Sequence, residues 1–361
     1  MSNAPADRLS LKPDLTVATE RWRAFWAGEM LDRPPVVITC PAEGVEPAPR
    51  PTYRQMLFDP LDEVVAAADA YVRSIHWGGD AVPQFSPGFG PDTFAAFLGA
   101  EIEFSREQED NTSWAVPFVE HWEDVLPLQI AENGYWTRMR ELIRRLAEVG
   151  EEHWVVSHLD LHSNLDALES LRGATELCVD LYTQTEMIER ANDQVRELYA
   201  TIYDTLHEDG RMDRTGTGGG WIRAYCDGKC NTIQCDFAAL IGPEHFRRFA
   251  TPDLQAEAEH VDACIFHWDG PTALVHMDDL MAIEAIDCIQ WVPGAGAPLL
   301  IEWLDLLAEI QEAGKSVMVY CTLDELPQFH ERLRPDRLFY QTSAPDRTEL
   351  ERTLRWIEEN S

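Results

Sequence analysis

The alternation of strand-like and helical segments is the feature of this sequence that most constrains its fold. Residues 60–75 repeat apolar side chains at helical spacing, and the helical segments 137–150 and 299–314 each end in a glycine, which commonly stops a helix. A last helix is predicted over residues 343–360. The candidate strands are residues 35–40, 80–85, 153–161, 220–227, 263–269, 285–291, 316–322 and 337–343.

Eight strands that alternate with helices predict an α/β protein, and specifically a (β/α)₈ barrel. A doubly wound open sheet is the alternative. The sequence has no G-x-G-x-x-G after a strand to support it, and "GTGGGW" at 216–221 precedes a candidate strand instead. Because no linker or low-complexity segment interrupts the chain, we interpret residues 1–361 as one domain, long enough to bury a large core.

Two segments do not belong to the strand–helix repeat. Residues 9–31 are predicted to form an N-terminal helix, and Trp22, Phe25 and Trp26 would dock it on the barrel. Residues 86–135 form a long excursion after the second candidate strand. Since long insertions in compact domains are usually functional or disordered, and this one contains many aromatic residues, we expect it to cap the mouth of the barrel.

The composition limits the partners of the protein. A net charge of −35, from 29 basic and 64 acidic residues, repels nucleic acids, anionic membranes and polyanionic substrates. The sequence has no signal-peptide pattern and no run of roughly 20 apolar residues that would cross a bilayer. Eight scattered cysteines favour reduced thiols in the cytoplasm over a disulfide framework. We therefore expect a cytoplasmic protein that binds a small molecule, with its oligomeric state left open.

Reactive side chains follow several candidate strands, at the end where barrel enzymes carry their chemistry. His267 and Asp269 end one strand, and the period of two along a strand places them on the same face. Asp160 and His162 end another strand in the same way, and Asp236 follows a further strand. We predict that Asp160, His162 and Asp236 position or protonate the substrate.

Other polar and aromatic residues near strand ends are candidates for binding the substrate. His158 shares a face with Asp160, but an inward-facing barrel position favours a structural role for it. The spacing of Cys226, Cys230 and Cys235 lacks the second ligand pair of a structural zinc site. The predicted substrate-binding residues are Trp114, Tyr225, Gln290, Trp291, Tyr320 and Gln341.

Three stretches of the sequence resemble the uroporphyrinogen decarboxylase superfamily, and in particular its decarboxylase-like branch. They are residues 159–181, 234–254 and 266–296, and the resemblance extends over roughly residues 20–360. It implies a (β/α)₈ barrel. It also implies one of two activities: cofactor-free decarboxylation, or zinc-dependent methyl transfer involving corrinoid proteins or thiols.

Decarboxylation of a porphyrinogen is disfavoured. Decarboxylases of the superfamily carry an arginine-rich motif after the first strand that binds the carboxylates of the substrate. The corresponding residues 41–55 contain only Arg50 and Arg54. A substrate with many carboxylates needs clustered cationic donors, which this segment lacks.

Methyl transfer is the activity that the resemblance favours. The related methyltransferases hold zinc with a His-x-Cys pair and a later cysteine. Here His267 matches the histidine, Asp269 replaces the first cysteine, and Cys321 is the thiol that could complete the site. The resemblance thus implies metal-assisted methyl transfer, with zinc on these three residues and a corrinoid-carrying partner. The alternatives are a decarboxylase of a small carboxylate, a non-catalytic binding barrel, and a purely structural His267–Asp269 pair.

Overall fold

A computed structural model of the chain describes residues 9–105 and 112–361. Its strands are β1 Val36–Pro41, β2 Ile75–Gly79, β3 Gln84–Phe85, β4 Glu101–Phe104, β5 Ser113–Val116, β6 Val155–Val156, β7 Thr217–Gly219, β8 Ile222–Cys226, β9 Cys230–Gln234, β10 Ala263–Asp269, β11 Cys288–Val292, β12 Ser316–Tyr320 and β13 Leu338–Ser343. Its α-helices are α1 Leu15–Trp26, α2 Tyr53–Phe58, α3 Leu61–Arg73, α4 Thr93–Phe97, α5 Trp122–Val125, α6 Gly134–Gly150, α7 Asn164–Arg172, α8 Ala174–Thr183, α9 Thr185–Asp209, α10 Met212–Thr215, α11 Pro243–His245, α12 Thr251–Glu259, α13 Met277–Met281, α14 Leu304–Glu312, α15 Leu326–Arg332 and α16 Arg347–Asn360.

The central sheet has seven strands in the order β2-β1-β13-β12-β11-β10-β9. Six of these strands are parallel, and β2 runs antiparallel to β1 at one edge. Strands β3 and β6 form a separate parallel pair, and β4–β5 and β7–β8 are antiparallel hairpins. The predicted mixed α/β architecture is therefore confirmed. The hydrogen-bonded strands of the described residues do not form the predicted closed ring of eight parallel strands.

The fourth sheet strand differs from the prediction. Residues 220–227 were expected in the sheet, but they form β8, which folds back on β7. The position next to β10 belongs instead to β9, whose polar residues Asn231, Thr232 and Gln234 do not give it the composition of a buried strand. These side chains are buried and each donates a hydrogen bond inside the protein, while Asn231 Oδ1 has no partner among the described residues. Thr232 Oγ1 donates a hydrogen bond to the carbonyl oxygen of Gly219, and Asn231 Nδ2 donates to Tyr199 Oη.

The N-terminal helix packs against the central sheet through its aromatic residues. The ring of Trp22 lies edge-on to Phe339 of β13 at 5.1 Å, and Trp26 Nε1 donates a hydrogen bond to the carbonyl oxygen of Tyr225. The helix is shorter than the predicted 9–31. It ends at Trp26, and the chain then turns at Gly28, whose φ of 71° suits glycine.

The excursion after the second candidate strand forms α4 and the β4–β5 hairpin. Its residues 106–111 lie outside the described residues. Five of its first six residues, 86–91, line the cavity described below, and the predicted capping of the mouth stays a prediction. Within the described ranges, no helix combines the length and apolar character needed to cross a membrane.

Candidate active site in a cavity at the strand ends

Four of the predicted site residues line one cavity of about 490 Å³. They are Asp160, His162, Asp236 and His267, which follow or end three different strands. The volume lies in the range of natural small-molecule sites, which is roughly 300–1,000 Å³. The structure thus brings together the three predicted catalytic residues and the histidine of the predicted metal pair.

The parallel register of the sheet explains the position of His267. In the pairing of β9 with β10, Gln234 lies beside His267, and in the pairing of β10 with β11, Gln290 lies on its other side. Side chains at matched positions of adjacent parallel strands point to the same face. The sheet therefore places an imidazole between two amides.

The contact with Gln290 defines which nitrogen of His267 can react. Nδ1 of His267 donates a hydrogen bond to Gln290 Oε1 at 2.7 Å. In the neutral ring, Nε2 is then the nitrogen that carries a lone pair, and no described residue forms a hydrogen bond with it. The ring of Trp221 meets the imidazole edge-on at 5.5 Å. Gln290 therefore fixes the orientation of His267, and Nε2 of the neutral ring is the atom that could accept a proton.

His162 is surrounded by carboxylates. Its Nε2 lies 3.9 Å from Asp160 Oδ2, and its Nδ1 lies 3.9 Å from Asp92 Oδ1. Burial lowers the pKa of His162, but the negative charges of Asp160, Asp166, Asp236 and Asp92 outweigh burial and raise that pKa to about 9. At neutral pH the cavity therefore contains one imidazolium among acidic groups.

Two contacts position the carboxylates of the cavity. Gln234 Nε2 donates a hydrogen bond to Asp160 Oδ1 at 3.0 Å, and burial raises the pKa of Asp160. The carboxylate of Asp166 accepts hydrogen bonds from the backbone N–H groups of Asp236 and Phe237, both at 2.9 Å. Asp166 thereby caps the short helical turn that begins at Asp236 and fixes the place of this residue at the cavity wall.

A pH titration tests the electrostatics around His162. Its pKa in the folded state, about 9, lies above the value near 6.5 expected for an unfolded chain. The stabilisation from protonated His162 should be complete below about pH 6.5 and lost as the pH rises through about 9. We expect the His162 ring resonances in NMR spectra, assigned by their loss in His162→Gln, to titrate near pH 9. We also expect Asp160→Asn to lower the midpoint. A midpoint at or below 6.5 in the parent would show that burial outweighs the carboxylates.

The three predicted zinc ligands do not form one set. Asp269 lies in a neighbouring open groove with Asp236, and its Oδ1 has no hydrogen-bond partner among the described residues. Burial raises the pKa of the Cys321 thiol to about 12, and this buried residue does not line the cavity. Across residues 9–105 and 112–361, no three His, Cys, Asp or Glu side chains are arranged to hold a metal ion. The donor set therefore does not fit zinc as the resemblance implies.

Five of the predicted substrate-binding residues lie outside the cavity lining. Trp114 and Tyr320 are more than half exposed elsewhere on the surface. Tyr225 is buried and donates a hydrogen bond to a backbone carbonyl, and Trp291 packs against other tryptophans. Gln341 Oε1 accepts a hydrogen bond from the backbone N–H of Arg223. Their polar or aromatic groups are thus used in packing or exposed to solvent.

Two further predictions have structural outcomes. Gln290 does not line the cavity either, but its Oε1 accepts a hydrogen bond from His267 Nδ1. His158 is fully buried and stacks on the ring of Tyr203 at 4.0 Å, which agrees with a structural role. Burial lowers its pKa to about 3, so it stays neutral.

The sequence prediction did not include several residues that line the cavity. Arg223 was assigned to the middle of a sheet strand, so nothing marked it as part of the site. Arg50 was considered only as the remnant of an arginine-rich motif. Recognition of β7–β8 as a hairpin would have indicated Arg223, because a hairpin outside the central sheet can direct side chains toward a cavity at the strand ends. The missed lining residues also include Tyr53, Tyr71, Gln84, Phe85 and Gln234.

Comparison with solved structures shows that the fold is shared with a known protein. The chain is similar in structure to a methyltransferase from Methanosarcina mazei, with a TM-score of 0.62 and 14% sequence identity. The match covers 95% of this chain and 98% of the methyltransferase chain. No protein-family model matches the chain, and no curated protein matches it by sequence. At 14% identity the likeness shows the fold alone, so the chain has the architecture of that methyltransferase.

Proposed function

We propose that this protein is an enzyme that transfers a methyl group to a small molecule bound in the cavity. The observation that carries the proposal is the placement of His267, whose Nδ1 is held by Gln290 Oε1 and whose ring lines a cavity of small-molecule size. The shared architecture with a methyltransferase and the sequence resemblance support the choice of reaction. The corrinoid-carrying partner and the cytoplasmic location stay predictions, and the proposal does not place zinc on His267, Asp269 and Cys321, because these residues do not form one donor set.

The reaction requires a base at the acceptor. The acceptor's O–H, N–H or S–H loses its proton to His267 Nε2 while its heteroatom forms the new bond to the methyl carbon. The bond from the methyl carbon to the donor breaks, and the donor leaves with that electron pair. Gln290 keeps the accepting nitrogen on the cavity side and stabilises the imidazolium that forms. No step in this scheme depends on a metal.

We also propose that the strands close into a barrel around the cavity. The gap between the two edge strands of the sheet, β9 and β2, would be filled by the β7–β8 hairpin and the β3–β6 pair. Two observations support closure. The backbone N–H of Ser157, directly after β6, donates to the carbonyl oxygen of Phe85, and the N–H of Gly220 donates to Ser157 Oγ at 3.0 Å. The hairpin thus contacts both β9 and the segment after β6.

Methylcobalamin, as a free corrinoid methyl donor, tests the proposed function. The purified protein is incubated with it and with 4-hydroxybenzoate, 4-aminobenzoate or 4-mercaptobenzoate, which offer an oxygen, a nitrogen and a sulfur acceptor on one framework. We expect protein-dependent formation of at least one methylated acid, detected by mass spectrometry, with matching loss of methylcobalamin absorbance. Absence of methylated product from all three acceptors would contradict the proposal.

Decarboxylation of a small carboxylate is the second candidate, favoured by the two arginines in the cavity. The same incubations without methylcobalamin separate the two activities. Under the main proposal no carbon dioxide is released from the three acids. Protein-dependent release would favour the second candidate.

A further inference from the structure

Two arginines line the cavity without an acidic partner. Arg223 and Arg50 form no ion pair with Asp or Glu anywhere in the part of the chain that the structure describes. The chain has 64 acidic residues against 29 basic ones, so acidic partners are abundant. A guanidinium that lines a cavity and forms no ion pair with the protein is suited to bind an anion there.

Neutral groups hold Arg223 in place. Its Nη1 donates a hydrogen bond to Thr39 Oγ1 and its Nη2 donates to Tyr71 Oη, both at 3.2 Å. The guanidinium carbon lies 5.1 Å from the ring centroid of Trp77. A guanidinium has five N–H donors, and these contacts use only part of them. The remaining donors have no partner among the described residues and are free to bind a ligand.

Arg50 has the same kind of surroundings. Its Nη2 donates a hydrogen bond to the carbonyl oxygen of Ser86 at 2.7 Å. Its guanidinium carbon lies 5.4 Å from the ring centroid of Tyr53 and 5.3 Å from that of Phe85. These contacts fix the side chain beside the cavity and include no ion pair. Hydrogen bonds that only support the fold would explain the contacts of Arg223. They would not explain why the same cavity contains a second arginine that forms no ion pair.

We propose that Arg223 and Arg50 form a subsite that binds the carboxylate of a small monoanionic substrate. The inference rests on the proposed function and names the substrate class of the same cavity. A planar guanidinium matches the two oxygens of a carboxylate. Multiply charged anions are disfavoured because Asp160 and Asp236 line the same cavity and the chain carries a net charge of −35.

The test compares acids with their uncharged amides. The dissociation constant of 4-hydroxybenzoate is measured by isothermal titration calorimetry beside those of 4-hydroxybenzamide and 4-hydroxyphenylphosphonate. We expect the acid to bind about 10- to 100-fold more tightly than the amide, the effect of one charge-assisted hydrogen-bonded pair, and more tightly than the phosphonate. Arg223→Met and Arg50→Met should each weaken binding of the acid by a similar factor and leave binding of the amide unchanged.

Arg54→Met is the matched control. Arg54 lies on the same segment as Arg50, but it stacks over Phe58 and does not line the cavity. Its substitution should not change binding of the acid. If Arg223→Met fails to fold, as judged by circular dichroism, Arg50→Met decides the question. The subsite is overturned if the acid binds no more tightly than the amide, if the phosphonate binds best, or if both methionine variants bind the acid like the parent.

The outcomes also separate this inference from the proposed function. Arginine-dependent binding of the acid without methyl transfer would retain the subsite and contradict the methyltransferase proposal. Methyl transfer that is equally fast with 4-hydroxybenzamide would retain the activity and overturn the subsite.

Discussion

Substitution of His267 by glutamine should reduce kcat for methyl transfer by about 10²- to 10⁴-fold, the usual contribution of a positioned general base. Glutamine preserves polarity and approximate size, but it has no basic nitrogen to replace Nε2. Gln290 should still have a hydrogen-bonding neighbour, so the protein should remain folded. The measurement is the rate of formation of the methylated acid from methylcobalamin at saturating acceptor.

His153→Gln is the control for His267→Gln. His153 precedes β6, forms a hydrogen bond with the Ser10 hydroxyl and does not line the cavity. Its substitution should leave kcat within about twofold of the parent, since surface changes away from a site have small effects. An unchanged rate in His267→Gln, or an equal loss in both variants, would show that His267 is not the base.

Substitution of Asp80 by asparagine should destabilise the protein by about 3–5 kcal/mol, because it leaves buried Arg33 with only a longer, 3.6 Å contact to the half-exposed Glu358 as a counter-charge. The Asp80 side chain is fully buried and pairs with both Arg33 and Arg21. The Arg33 side chain is only 2% exposed, so water cannot replace the lost partner. Asp80 Oδ2 also accepts a hydrogen bond from the backbone N–H of Val36, where β1 begins. The free energy of unfolding is measured by urea denaturation.

Asp32→Asn is the matched control for Asp80→Asn. Asp32 pairs with the same Arg21, at 2.7 Å, but its side chain is half exposed. An exposed ion pair contributes at most about 1 kcal/mol, so the control should lose no more than that. Similar losses of stability in the two variants would contradict the role assigned to the buried pair at the start of β1.

The sequence was sufficient to predict His267 because its strand is regular. The segment 263–269 is apolar until its last residues, and β10 has those same bounds. Strand period and the common direction of parallel strands then predict that its last side chains meet those of neighbouring strands. Asp160, His162 and Asp236 share the cavity for the same reason. Gln290 was predicted as a substrate ligand, but its side-chain oxygen accepts a hydrogen bond from His267, its neighbour across the β10–β11 pairing.

The sequence was not sufficient where local composition and tertiary position disagree. Strand β9 has polar residues at buried positions, so its composition does not indicate a core strand, and the more apolar segment 220–227 was assigned in its place. Because residues 220–227 were assigned to the sheet, the sequence did not indicate that Arg223 lines the cavity. The hydrogen-bond partners of Arg223 on β1 and α3 are also distant in sequence. Likewise, the third predicted zinc ligand, Cys321, is a buried residue outside the cavity lining, a position that spacing alone could not reveal.

The most direct test of the account is to follow the methyl carbon itself. The protein is incubated with 4-hydroxybenzoate and methylcobalamin that carries ¹³C in the methyl group, and the products are examined by NMR. The account predicts a ¹³C-labelled methoxy resonance in 4-methoxybenzoate, formed by the parent and by His153→Gln but strongly reduced in His267→Gln and in Arg223→Met. If the label stayed on the corrinoid with the parent protein, or reached the acceptor equally with His267→Gln, the cavity would not be the methyl-transfer site.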